Sequence, residues 1–270
     1  MIHLRSVRLG SVPAGRADAF PFSVPAIRGL GGDGLAFRSE VTFLVGENGS
    51  GKSTLLEGVA AAARAIVVGS AGADDDPTLG TARTLGRALQ LDWSRQNRKG
   101  FFLRAEDFFG FAKRMGQLHD ELTEEMRAIV EDPTLSAQAR GFGSMPYARE
   151  LAALKQRYGE GLDARSHGEA FLMLFQSRFT PNGLYLLDEP EAPLSPGRQL
   201  ALIALMKDAV EFEAAQFVVA THSPILMAFP GATIYGFDDT GVREVPYAEV
   251  EHVRLTKQFL ADPEAFLRHL

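Results

Sequence analysis

The sequence has no cysteine, and this absence excludes several classes of site. Disulfide bonds and zinc or iron–sulfur centres held by cysteine cannot form, which is compatible with a reducing cytoplasm. Long hydrophobic runs are also lacking, because no stretch approaches the roughly 18 apolar residues of a membrane span. We therefore expect no transmembrane segment. The first residues, MIHLRSVRLGSV, have no apolar run after their charges, so we expect no signal peptide.

An excess of positive charge is lacking too. The chain has 28 Lys and Arg against 34 Asp and Glu, which gives a formal net charge of −6. This balance provides no overall positive field for nucleic acid and leaves a local basic patch open. With 270 residues, 46% of them hydrophobic, the chain can bury a sizeable core. One large domain, or a domain with an inserted subdomain, is expected.

Apolar runs of strand length recur along the chain between stretches of helical composition or spacing. Strands are predicted at Ile2–Leu9, Val41–Val45, Gly100–Arg104, Leu184–Leu187, Phe217–Ala220 and Ala232–Phe237. Helices are predicted at Ser53–Ala65, Glu106–Glu131, Ala148–Arg157, Ala170–Phe175 and Pro196–Glu211, with a helical end at Tyr247–Leu270. This alternation predicts an α/β fold with a mostly parallel central sheet. Residues 66–165 are long for one connection, so we predict an inserted, mainly helical subdomain there, within a core of residues 1–65 and 166–270.

The segment GENGSGKST follows an apolar strand and opens a helix. It satisfies the pattern G-x-x-x-x-G-K-[ST], in which main-chain N–H groups surround phosphate oxygens at a helix N-terminus. The lysine can reach the β- and γ-phosphates, and the serine hydroxyl can coordinate Mg²⁺. The alternative is a glycine turn before an ordinary helix. The predicted nucleotide-binding residues are Gly46, Glu47, Asn48, Gly49, Ser50, Gly51, Lys52, Ser53 and Thr54.

Two further apolar strands end in polar residues. LYLLDEP places Asp188 and Glu189 at a carboxyl strand end, where ligands bind in open α/β sheets. Asp188 can hold Mg²⁺, and Glu189 can orient or deprotonate an attacking water. FVVATHSP delivers Thr221 and His222 to the same edge, where the histidine can contact the γ-phosphate or that water. A solvated strand end and a capping or core histidine are the simpler alternatives.

Together these motifs resemble those of ABC-type ATPases, in the soluble branch similar to the SMC and recombination-repair ATPases and to bacterial ABC-like ATPases of the AAA group. Gly46–Thr54 resembles the Walker A motif and Leu184–Glu189 the Walker B motif. Ala192–Ser195 lies where the family has its D-loop, and His222 matches the switch histidine. The resemblance implies a P-loop NTPase fold of the ABC type, with ATP and Mg²⁺ as cofactors.

A signature-like segment, Ser166-His167-Gly168-Glu169, stands before the Walker B motif. It departs from the usual L-S-G-G-Q and keeps Ser166 and Gly168. The resemblance implies that these two residues bind the γ-phosphate of ATP held by a second copy, so that ATP joins two chains head-to-tail. A simple helix N-cap with Glu169 in the capping box is the alternative.

Two elements of the family pattern are ambiguous. The family carries a glutamine that senses Mg²⁺ and the attacking water, and Gln96 precedes a predicted strand where the family's residue follows one. Glu106 sits at the better place and is a candidate metal ligand, with an exposed carboxylate at a helix start as the alternative. Phe20 and Phe22 lie in the loop region where the family has its adenine-stacking aromatic residue, but ordinary core packing is the favoured role for both.

Three functions are open. The first is a cytoplasmic ATPase switch, an ATP-dependent homodimer acting on a protein or nucleic-acid partner. The second is the nucleotide-binding subunit of a membrane transporter. Two features argue against it: the signature departs from L-S-G-G-Q, and the D-loop ends in Ser195, where transporters usually carry aspartate. The third is a nucleotide-dependent binding module with negligible turnover, against which Glu189 speaks. The histidines outside the motifs, including His252, are expected to have solvated or packing roles.

Overall fold

A computed structural model describes residues 1–68, 80–94, 99–158 and 167–268. These residues form two compact units. The first contains Met1–Ala105 and Phe179–Leu270, and the second contains Glu106–Arg178. Among the described residues, none of the helices combines the length and the apolar character that a membrane span requires.

A seven-stranded sheet forms the centre of the first unit, in the order β10-β9-β3-β8-β7-β6-β4. Its strands are β3 (Val41–Gly46), β4 (Ile66–Val67), β6 (Gly100–Arg104), β7 (Leu184–Asp188), β8 (Gln216–Ala220), β9 (Thr233–Asp238) and β10 (Gly241–Glu244). Neighbouring strands are parallel except β10, which pairs with β9 as a hairpin. The predicted α/β class with a mostly parallel sheet is confirmed.

The central strands are buried along almost their whole length and are mostly apolar, as expected where both faces of a sheet are covered. All residues of β7 and β8 are buried, as are Val41–Val45 of β3. Parallel strands with helices on both faces lack the alternation of half-exposed strands. The central strands therefore appear in the sequence as short continuous apolar runs.

A second, antiparallel sheet has the order β2-β1-β5 and consists of β1 (Leu4–Leu9), β2 (Leu35–Ala36) and β5 (Leu89–Trp93). Gln216, at the start of β8, joins it to the central sheet. Its buried Oε1 accepts hydrogen bonds from the main-chain N–H groups of His3 and Leu4, and its Nε2 donates to the carbonyl of Leu4.

Helices complete the first unit. They are α1 (Pro25–Arg28), α2 (Lys52–Ala63), α3 (Gly80–Ala88), α7 (Pro196–Glu213), α8 (Pro224–Met227), α9 (Glu251–Ala261) and α10 (Pro263–Leu267). α2 and α3 approach each other closely at Gly58 and Gly86. A Cβ atom on Gly58 would lie 2.6 Å from Leu85 Cδ2, and one on Gly86 would lie 2.9 Å from Ala61 Cβ. Glycine is thus required where the two helices cross.

The second unit consists of α4 (Ala105–Glu131, whose first residue belongs to the first unit), α5 (Ala137–Tyr158) and α6 (His167–Ser177). The Phe108 ring of α4 meets the Phe171 ring of α6 edge-on at 5.0 Å. A helix was predicted at Ala148–Arg157, but α5 begins earlier, at Ala137, and contains Pro146. Ser136 Oγ accepts from Ala139 N at 3.2 Å, so a serine caps the helix at this earlier start.

The boundaries of the units differ from the predicted ones. The insertion was predicted to begin at residue 66, but β5 and β6, which follow that residue, belong to the first unit. β5 pairs with β1, and β6 pairs with β7. At the other end, α6 belongs to the second unit, where it contacts α5. The helical unit therefore starts at Glu106 instead of residue 66 and ends at Arg178 instead of residue 165.

Candidate nucleotide site

The loop between β3 and α2 has the backbone shape of a phosphate cradle. Gly46, Gly49 and Gly51 have φ angles of 149°, 81° and 100°, in the region that favours glycine. A Cβ atom on Gly46 would lie 2.3 Å from the carbonyl oxygen of Phe237, and one on Gly51 would lie 2.5 Å from Val24 Cγ1. Glycine is therefore needed at both ends of the loop for conformation and for space.

Lys52, the first residue of α2, is held inside this loop. Its Nζ donates hydrogen bonds to the carbonyl oxygens of Gly46, at 2.7 Å, and Glu47, at 2.9 Å, and its side chain is buried. Burial lowers the pKa of Lys52, while the carboxylates of Glu189 and Asp188 act in the opposite direction. In the part of the chain that the structure describes, the hydrogen bonds of this ammonium group go to neutral carbonyl oxygens, which compensate its desolvation less than anionic acceptors would.

Ser53 and Asp188 meet across the sheet edge. Ser53 Oγ donates to Asp188 Oδ1 at 3.0 Å, although the residues are 135 positions apart in the sequence. Asp188 is 8% exposed, and burial raises its pKa to about 7, with the Ser53 hydrogen bond opposing the shift and the charge of Glu189 adding to it. A buried carboxylate that is this costly to ionise is poised for a cation.

This donor set fits Mg²⁺ bound together with phosphate. Among the described residues, no group of three or more His, Asp or Glu could hold a metal ion. Mg²⁺ does not need one, since it is usually held by one or two protein oxygens plus water and substrate phosphates. One hydroxyl and one carboxylate oxygen, adjacent to a phosphate cradle, are such a set.

Glu189 follows β7 in a left-handed backbone conformation, with φ of 49°. Its N–H donates to the carbonyl of Ala220 at 2.9 Å, which extends the pairing of β7 with β8. Its carboxylate is half-exposed, and Oε1 lies 3.7 Å from Nε2 of His222. The Glu189 carboxylate thus lies next to the His222 ring.

His222 follows β8, the strand between β3 and β7. Its main-chain N–H donates to Glu191 Oε1 at 2.7 Å, and its Nδ1 lies 3.1 Å from Nε2 of His252 in α9. Burial, with smaller contributions from Lys52 and His252, lowers the pKa of His222. The sequence reasoning missed Glu191 and assigned His252 a solvated or packing role, which the contact with His222 contradicts. No local pattern links residues 222 and 252.

A cavity of about 590 Å³ borders the other side of the loop, at Glu47–Ser50. Its remaining wall comes from β9, the β9–β10 turn and α9, with acidic Asp238 and Asp239 beside basic Arg243 and Arg254. It is a mixed-charge depression next to the phosphate cradle.

The remaining predicted residues are distributed as follows. Thr54 is half-buried in the first turn of α2. Ser166 lies outside the described residues, as does Gln96, and Gly168 is buried in α6. Glu106 is exposed near the start of α4, in the second unit, so its role in metal binding stays a prediction. Phe22 is buried in the core cluster, whereas Phe20 is 61% exposed.

With this geometry in place, the relatives of the chain can be compared. Residues 169–228, from α6 to just beyond α8, match the family described as "AAA domain, putative AbiEii toxin, Type IV TA system". The match contains Asp188, Glu189 and His222. It covers 60 of the 270 residues. No curated protein matches the chain significantly.

Solved structures with low sequence identity resemble the chain. CbiO1 from Clostridium perfringens, part of the ABC transporter complex cbiONQ, is 15% identical, with a TM-score of 0.48 over 100% of this chain and 99% of that chain. The Smc head domain from Pyrococcus furiosus is 11% identical, with a TM-score of 0.45 over 96% and 100%. The dimeric ABC transporter cassette MJ0796 is 19% identical, with a TM-score of 0.43 over 79% and 88%. The proposals below rest on this chain's own residues.

Proposed function

We propose that this chain binds ATP with Mg²⁺, hydrolyses it, and works as an ABC-type, ATP-driven switch in the cytoplasm. The observation that carries the proposal is the 3.0 Å contact between Ser53 and Asp188. It brings the helix that follows the phosphate loop to the carboxylate at the end of β7. Three adjacent strands, β3, β8 and β7, thus end in a phosphate cradle, a histidine and a carboxylate pair.

In this proposal the loop N–H groups and Lys52 bind the phosphates. The contacts of Lys52 Nζ with two loop carbonyls are then exchanged for contacts with the β- and γ-phosphate oxygens, which compensate the charge far better. Ser53 and Asp188 would hold Mg²⁺, which supplies charge neutralisation at the phosphates. Phosphate binding would therefore give the buried Lys52 ammonium group anionic partners in place of neutral ones.

Glu189 is the proposed base that orients or deprotonates the attacking water. It suits this role because it is half-exposed and faces His222, whereas Asp188 is buried against Ser53. His222 contributes a ring nitrogen at the same place. Positioning and electrostatic stabilisation account for most of the catalysis in phosphoryl transfer.

The switch itself requires a second copy of the chain. Ser166 and Gly168 of that copy are the proposed contacts to the γ-phosphate, so that each site is completed head-to-tail. Hydrolysis removes the γ-phosphate contacts and releases the dimer. A protein or nucleic-acid partner would read the two states.

The test is Glu189→Gln, which keeps the side-chain shape and removes the base. We expect hydrolysis of Mg–ATP to fall by at least about a hundredfold and an ATP-dependent dimer to accumulate in size-exclusion chromatography with light scattering. Glu211→Gln, on the exposed surface of α7, is the matched control. An unchanged hydrolysis rate in Glu189→Gln would reject Glu189 as the base. Rates with and without DNA would identify the class of partner.

A further inference from the structure

The ring of His222 contacts the ring of a second histidine, His252, which has no direct role in the proposed reaction. Nδ1 of His222 lies 3.1 Å from Nε2 of His252, and the two rings meet at 73° with centroids 5.0 Å apart. At this distance one nitrogen donates and the other accepts. The direction of this hydrogen bond therefore determines which nitrogen of His222 carries the hydrogen.

The surroundings decide the direction of this hydrogen bond. His222 Nε2 is buried, has no hydrogen-bond partner among the described residues, and lies 3.7 Å from the carboxylate oxygen of Glu189. A hydrogen on Nε2 is attracted by that carboxylate, whereas a lone pair there would be repelled. Nε2–H on His222 leaves Nδ1 as the acceptor, so His252 must donate from its own Nε2.

The position of His252 is itself fixed by the fold. It lies in the first turn of α9, between the buried residues Val250 and Val253. The turn before α9 is tied to α8, because Tyr247 Oη donates to the carbonyl of Pro224 at 3.1 Å. Pro224 is only two residues from His222. The His222 ring and the His252 ring therefore lie on neighbouring segments, at α8 and α9, that contact each other.

We propose that His252 is a positioning residue that holds His222 in the neutral form with hydrogen on Nε2, so that His222 presents a donor to Glu189 and to the γ-phosphate. The lowered pKa of His222 supports a neutral ring near pH 7. His252 also lies 3.9 Å from Glu47 Oε1 of the phosphate loop. The histidine pair thus lies beside the phosphate loop.

The proposal rests on the proposed ATPase function for its consequence, but its test starts without nucleotide. Long-range ¹H–¹⁵N correlation spectra of the histidine rings report the tautomer directly, with His222 assigned through His222→Gln. We expect the Nε2–H form in the nucleotide-free protein. His252→Ala should give a mixture of tautomers, whereas His252→Gln, whose amide can still donate to Nδ1, should keep the Nε2–H form.

Kinetics then separate positioning from structure. His252→Ala should lower kcat roughly tenfold with little change in KM. His252→Gln should recover most of the lost kcat. The control Lys257→Ala, on the exposed side of α9, should have the kcat and KM of the wild type. A wild-type His222 with hydrogen on Nδ1, or a tautomer that His252→Ala leaves unchanged, would overturn the proposal. The expected tautomers in a protein without ATPase activity would instead refute the proposed function and leave the positioning role standing.

Discussion

We predict that the buried charge of Asp188 lowers the free energy of unfolding of the nucleotide-free protein. Asp188→Asn, which removes that charge, should therefore raise the free energy of unfolding. The carboxylate is buried at 8% exposure, and its pKa is raised from 3.8 to about 7, chiefly by burial. Asparagine has nearly the same shape and cannot ionise. Its Oδ1 can still accept the hydrogen bond that Ser53 donates at 3.0 Å, so the substitution removes little except the charge.

The sign and size of the effect follow from the shift. Because the folded-state pKa lies above the unfolded one, the folded protein holds the proton more tightly, and stability is lost as the pH rises from about 3.8 to about 7. A shift of about 3 units corresponds to about 4 kcal/mol at full ionisation. Asp188→Asn should therefore raise the free energy of unfolding by up to about 4 kcal/mol at pH 8 and by almost nothing at pH 4.

The assay is urea unfolding of both proteins from pH 4 to pH 8, without nucleotide and with a metal chelator. The difference between variant and wild type cancels the other titrating groups that the two share. Asp208→Asn, on the exposed face of α7, is the control and should show no such trend. A stability gain that is independent of pH, or larger at pH 4 than at pH 8, would refute the argument that ionising a buried Asp188 is costly.

Three further predictions concern other parts of the fold. Lys52→Ala should abolish ATP binding in isothermal titration calorimetry, with exposed Lys207→Ala as the control, and retained tight binding would contradict the role of Lys52 in the phosphate cradle. Gly100→Ala should lower the free energy of unfolding by roughly 2–4 kcal/mol in urea titrations. The reason is that φ of Gly100 is 109° and a Cβ atom there would lie 1.9 Å from the carbonyl oxygen of Leu184. An unchanged unfolding midpoint would contradict this predicted clash. Gln216→Leu should cost roughly 2–4 kcal/mol in the same assay, because the buried main-chain N–H groups of His3 and Leu4 lose their acceptor. A neutral result would show that the antiparallel sheet does not depend on Gln216.

The parts of the site that were predictable are those in which local sequence dictates local structure. Gly46 and Gly51 are needed for backbone angles that other residues rarely adopt, and apolar strands lead directly into Asp188 and His222. Parallel strands bring their carboxyl ends to one edge, so their convergence could be inferred without knowing the distances.

The parts that were missed depend on contacts between distant residues. His252 reaches His222 only because α9 packs beside α8, and Gln216 bridges two sheets through residues more than 200 positions away. β5 was overlooked because its residues alternate between buried and exposed in a short segment, LQLDW, that pairs with β1. The helix predicted at Ala148–Arg157 was too short, because α5 begins at Ala137 and continues through Pro146.

The order of the strands has a consequence for biosynthesis. β3, which carries the phosphate loop, pairs only with β8 and β9 among the described strands, and both follow it by more than 170 residues. A nascent chain therefore leaves the ribosome with VTFLV lacking both neighbours until about 170 further residues have been made. During that interval both sides of this apolar strand lack their partners and are open to mispairing. We therefore expect folding of this chain to depend on chaperones that bind it during translation.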